Sequence, residues 1–220
     1  MGRKRYSFLL LAAVLALALA GCGANEDKDK KQDGAMTIAP AQLSQEESGI
    51  LELLDVDLDT HRVFDLQVEG AKSVRLRAYE LADGAWNCVV HAAREGFDGP
   101  GRVALSFGKM TEGVRMAYQD ETGALSREFV MEAGDASGMV FATSVLTKVR
   151  DIKLEAEIPL ALQIATTQNE FVTYDVDYFG MPRELAKGGY EHVYAITVTF
   201  SASEPSQQLD EPSAQPSPES

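Results

Sequence analysis

Cysteine is nearly missing from this 220-residue chain: Cys22 and Cys88 are the whole supply, too few for a disulfide framework. Histidine is also scarce. His61, His91 and His192 stand singly, none with a histidine or cysteine at metal-ligand spacing. Gly-x-Ser-x-Gly, His-Glu-x-x-His and phosphate-cradling glycine loops are lacking, so the sequence points to no cofactor and lends no support to catalysis. Basic side chains are in the minority, 20 against 34 acidic, for a net charge of −14. Such a surface repels phosphate backbones, which argues against a nucleic-acid partner. No window of about 12 residues or more carries a convincing helical stripe. The longest apolar run, Phe8 to Ala20, is 13 residues, and a membrane-spanning helix needs about 20.

That run has its own meaning. Arg3, Lys4 and Arg5 precede it and the small residues Ala20 and Gly21 close it, the layout of a secretory leader. Lys4-Arg5-Tyr6-Ser7-Phe8-Leu9 spaces the basic pair one residue too far from Phe8 for twin-arginine export, leaving the general secretory route. The ending Leu19-Ala20-Gly21-Cys22 resembles the lipobox of bacterial lipoprotein precursors. The resemblance covers the first 22 residues. It implies a signal peptide over 1–21, with Cys22 carrying a diacylglyceryl group as the first residue of the mature chain. Two acyl chains hold a protein to a bilayer stably where one does so marginally. The resemblance thus implies an extracytoplasmic protein whose partner is the outer face of the membrane. Gly23 after the lipidated cysteine resembles family members sent on to an outer membrane where one exists. Losing the leader removes three basic residues and no acid, so the mature chain is more acidic still.

From 22 to 46 the chain is charged and then Ala/Pro/Gln-rich, with little to bury, and is expected to be a disordered tether. About 24 such residues would float the domain on the order of 25–30 Å above the membrane. The segment 203–220, rich in proline, serine and glutamate, is expected to be a second disordered tail. Roughly 155 residues remain over 47–202, which suits one domain with a single core.

Alternation dominates that domain. Phe64/Leu66/Val68, Val74/Leu76/Ala78, Val103/Leu105/Phe107, Val114/Met116/Tyr118, Ile158/Leu160/Leu162/Ile164 and Tyr194/Ile196/Val198/Phe200 all recur with period two. Asp83-Gly84 is a tight-hairpin signal, and further turns are expected near Gly70, Gly96 to Gly101, Gly123 and Gly134 to Gly138. The expectation is an all-β antiparallel sandwich or jelly roll. Pro159 marks an edge strand, a bulge or a strand start. Leu54, Val56 and Leu58 share the parity of Phe64 to Val68. That pattern reads as one long bent strand from 54 to 69, or as two strands meeting near Thr60-His61.

The candidate sites are few. Asp55, Asp57 and Asp59 would project from one side of a strand about 6.6 Å apart, and adjacent pairs could share a cation. They do not form an EF-hand, since its glycine and glutamate positions hold Thr60 and Leu66. Asp175 and Asp177 repeat the pattern. Trp86, Cys88 and Val90 share a parity that directs them to the core, while Tyr79, Tyr174 and Tyr178 are candidate exposed aromatics for a sugar. With Cys22 lipidated, Cys88 has no partner for a disulfide. The sequence thus reads as a lipid-anchored, non-catalytic binding or accessory module at the cell envelope. Its partner would be an envelope protein, a glycan or a small ligand. An envelope hydrolase, or a calcium-dependent carbohydrate-binding module using the Asp and Tyr residues, is the alternative.

Overall fold

In the computed structural model, residues 35–97, 99–131 and 136–204 are described, all within the unit Gly34–Ser220. The leader, Cys22 and residues 205–220 lie outside the described residues.

The first half of the domain contains β1 (Thr37–Pro40), α1 (Gln45–Leu53), β2 (His61–Val68), β3 (Ser73–Ala82), β4 (Ala85–Glu95) and β5 (Gly99–Ser106). The second half contains β6 (Val114–Asp120), β7 (Gly123–Phe129), β8 (Val140–Val145), β9 (Arg150–Asp151) and β10 (Glu157–Thr166), then a 3-10 turn (Val176–Gly180), α2 (Pro182–Ala186) and β11 (His192–Ser201). They form two antiparallel sheets, ordered β7-β6-β5-β2-β1-β9 and β4-β3-β11-β10-β8, packed as a sandwich. The expected fold class is therefore the observed one.

Alternation builds the core. Phe64, Leu66, Val103, Leu105 and Met116 of the six-stranded sheet are buried, as are Val74, Leu76, Ile196, Val198 and Phe200 of the other. Each fully buried side chain of this size contributes about 1.5–3 kcal/mol. Gly101 of β5 permits the close approach of the Phe97 ring and of the β6 backbone. A Cβ there would lie 2.6 Å from the Gln119 carbonyl and 2.6 Å from Phe97 Cζ. Phe97 in turn meets Tyr118 edge-on and tilts against Phe200 of the opposite sheet. The Asp83-Gly84 hairpin is as expected: both residues have positive φ (52° and 74°), and Ala82 faces Ala85.

Several elements depart from the sequence reading. Strand β1 falls inside the stretch expected to be tether, where it pairs with both β2 and β9. Residues 54–60 are not strand: α1 ends at Leu53 with Leu54 as its C-cap, Asp55 takes φ 54°, and the chain turns until β2 begins at His61. β10 is interior, not an edge, and of the readings of Pro159 the bulge is the one observed: the proline sits where the register with β11 shifts and before the pairing with β8 begins at Ala161, so only one ladder runs past the missing N–H. Its residues from Ile158 to Thr166 are all buried, because the 3-10 turn packs on the outer face of β10.

Candidate functional site

An open concavity of the sandwich lies between α1 and the outer face of the six-stranded sheet. The helix starts at a capping box: the Glu47 N–H donates to Ser44 Oγ (3.2 Å), and the Ser44 N–H donates to Glu47 Oε2 (2.8 Å). The other Glu47 oxygen accepts from Arg102 Nη1 on β5 at 2.5 Å, and Arg102 Nε donates to Asp65 on β2 at 2.8 Å. Arg102 thus ties the helix to two strands. The Arg102 and Ser44 hydrogen bonds hold the Glu47 carboxyl down at about 2, and its two carboxylate partners raise the Arg102 pKa. The helix buries none of its side chains fully.

Beneath α1 is a groove of about 470 Å³. Strand register explains its floor. Val63, Ala104, Ala117 and Ser126 stand opposite one another across β2, β5, β6 and β7, and Arg102, Gln119 and Ala124 form the next row. Side chains this small leave room under the helix, while Leu43, Ile50, Leu51 and Leu125 complete an apolar lining. Ile50 (58% exposed) and Leu54 (66%) continue the apolar surface outward. The charged groups at the groove are paired with each other, so it offers apolar contact with little net field.

One row further along the same face, His61 of β2 stands opposite Ser106 of β5. His61 Nε2 is 2.9 Å from Ser106 Oγ, and Nδ1 is 2.8 Å from the Asp57 carbonyl and 3.0 Å from Thr60 Oγ1. Reading the histidines singly missed this pair, because the serine comes from a strand 45 residues away.

The expected site residues scatter. Asp55, Asp57 and Asp59 lie in the turns after α1, where Asp57 accepts from the Asp59 N–H and Asp59 approaches Arg62. Among the described residues, no three His, Cys, Asp or Glu side chains are placed to hold a metal ion. Asp175 caps the 3-10 turn by accepting from the Asp177 N–H, and Asp177 pairs with Arg150 at 2.6 Å. Tyr174, Tyr178 and Tyr190 meet edge to face, at 4.7 and 6.4 Å between centroids, and present no flat stacking surface. Tyr79 is buried and its hydroxyl donates to Glu157 at 2.6 Å; burial and that carboxylate raise its pKa. His192 contacts Glu80 at 2.8 Å.

Trp86 and Cys88 are corrections. A bulge at Val89, opposite the Ala78–Tyr79 step, reverses the parity of β4. Trp86 is therefore only half-buried, packed at the margin of the core, where it stacks on Phe179 and donates to its carbonyl at 2.8 Å, while Cys88 is exposed.

These features define a two-sheet antiparallel β-sandwich with a short capped helix laid over one outer face. The chain matches no protein-family model, no curated protein and no solved structure.

Proposed function

We propose that the chain is a lipid-anchored protein of the extracytoplasmic face, and that it binds a single uncharged alkyl or acyl chain in the groove beneath α1. The groove itself carries the reading: about 470 Å³ lies within the range of small-ligand sites, and its lining is mostly apolar with a few polar groups. Charge supports an uncharged occupant. Arg102 is neutralised by Glu47 and Asp65, and a chain of net charge −14 repels anionic head groups. The address rests on the likeness of Leu19-Ala20-Gly21-Cys22 to a lipobox. Among the described residues no helix is long and apolar enough to cross a membrane.

The test has two arms. Intact mass of the protein from membranes should show a diacylglyceryl group on Cys22, and Cys22→Ser should release the chain to the soluble fraction; a bare Cys22 or a retained leader removes the address. Fluorescence of N-phenyl-1-naphthylamine should rise on saturable binding, and Ala104→Leu with Ala117→Leu should weaken that binding at least tenfold. Binding unchanged by those groove-filling substitutions overturns the site.

A further inference from the structure

We propose that Ser106 is a nucleophile and His61 its general base, acting on esters; the choice of an acyl-chain ester as substrate rests on the groove reading above. The argument begins with the tautomer. A backbone carbonyl only accepts, so the contact between His61 Nδ1 and the Asp57 oxygen (2.8 Å) requires the ring proton on Nδ1. Thr60 Oγ1 directs its own proton to that same carbonyl (3.1 Å), which leaves a lone pair facing Nδ1 as a second acceptor. In the neutral ring Nε2 is then the nitrogen that accepts, and the Ser106 hydroxyl donates to it at 2.9 Å. Nucleophile, base and an orienting group stand in the relation that activated serines require. The backbone carbonyl takes the place of a carboxylate.

Position supports the assignment. Ser106 and His61 are both partly exposed, so a substrate has access. Their row is the neighbour of the Val63–Ala104 row that floors the groove, about 6.6 Å along the strands. An acyl chain lying in the groove therefore brings its carboxyl end toward Ser106. Across from Ser106 on β6 stands Arg115, on the same face; it is loosely paired with Glu128 of β7 at 3.6 Å and both side chains are exposed, so a developing oxyanion would compete with that carboxylate for it.

The chemistry balances without an added reagent. Ser106 Oγ bonds to the acyl carbon while its proton passes to His61 Nε2 and the carbonyl π pair moves to oxygen. Collapse restores the carbonyl and breaks the bond to the alcohol, which leaves with the proton from Nε2. Water repeats the sequence on the acyl-enzyme, releasing the acid and regenerating Ser106.

The experiment exposes the full chain to a fluorophosphonate and follows intact mass, peptide mapping and hydrolysis of p-nitrophenyl acetate and octanoate. One adduct is expected, on Ser106, lost in Ser106→Ala and slowed about a hundredfold or more in His61→Gln, with the thermal melts of both variants reported alongside. Octanoate should turn over at least tenfold faster than acetate. No adduct on Ser106, or equal labelling of wild type and His61→Gln, overturns the proposal. Labelling of Ser106 with no chain-length preference upholds the nucleophile and removes the groove as its acyl site. Naphthylamine binding without any label does the reverse.

Discussion

Gln163 of β10 reaches out of the five-stranded sheet to accept a 2.6 Å hydrogen bond from the Met110 N–H, in the turn that joins β5 to β6 in the opposite sheet. Its amide also donates to the Gly108 carbonyl (3.0 Å) and to Thr143 Oγ1 (2.8 Å), and the side chain is wholly buried. One amide therefore fixes the turn that follows Ser106. Gln163→Leu keeps the volume but orphans a buried donor and acceptor, each costing about 1–3 kcal/mol. The expected loss is about 3 kcal/mol, or on the order of 10 °C in Tm for a domain this size. Gln163→Glu should be worse than leucine at neutral pH, because a carboxylate oxygen then faces the Gly108 carbonyl in a dry site. Its deficit against wild type should shrink as pH falls and the carboxyl regains a proton to donate. Calorimetry across pH checks both, and an unchanged Tm in Gln163→Leu contradicts the account.

The groove has its own titration. Glu47 is held at about 2, first by the Arg102 hydrogen bond and then by Ser44, against an ordinary 4.5. Its folded pKa is depressed, so its contribution to folding is complete above pH 4.5 and is lost as pH falls from there toward 2. Carboxyl NMR should place the Glu47 midpoint near 2. Arg102→Met should move it toward 4.5, flatten that part of the acid dependence and loosen α1, which buries no side chain of its own. A midpoint that stays low in Arg102→Met would assign the shift to the Ser44 cap alone.

Why some elements were legible and others were not comes down to what sets their faces. Val74/Leu76/Ala78 and Tyr194/Ile196/Val198/Phe200 pair without a register shift between β3 and β11, so period two reports their core face directly, although β11 is buried on its other face as well. Val90 faces the core as its parity predicts, opposite Ala78, but Trp86 and Cys88 misled because the extra residue Val89 reverses the parity before it, and nothing in valine announces a bulge. Ile158 to Ile164 hid a strand covered on both faces; that cover comes from the 3-10 turn, a tertiary fact. Asp55-Val56-Asp57-Leu58-Asp59 imitates a strand, yet these residues form turns. The nine-residue α1 had one local signal, Ser44-x-x-Glu47, which the search for a long stripe passed over. The His61–Ser106 contact needed strand register, which no spacing within the sequence encodes.

Cys88 offers the sharpest check on the Val89 bulge. Its residue is exposed, while partial burial of the sulfur, with Glu157 nearby, raises the thiol pKa above the ordinary 9.0 in spite of Arg77 and Arg75. In the Cys22→Ser background, dithionitrobenzoate should therefore titrate one thiol in the native protein. The reaction should run several-fold slower at pH 8 than with an unstructured cysteine peptide, and accelerate further above pH 9. Deleting Val89 removes the bulge and lets β4 alternate regularly, with Cys88 still opposite Tyr79 and Trp86 still opposite Leu81. Native-state labelling should therefore stay within about twofold of the undeleted protein, and the near-ultraviolet dichroism from Trp86 stacked on Phe179 should persist. A tenfold fall in labelling would mean that Val89 is not the residue the bulge accommodates.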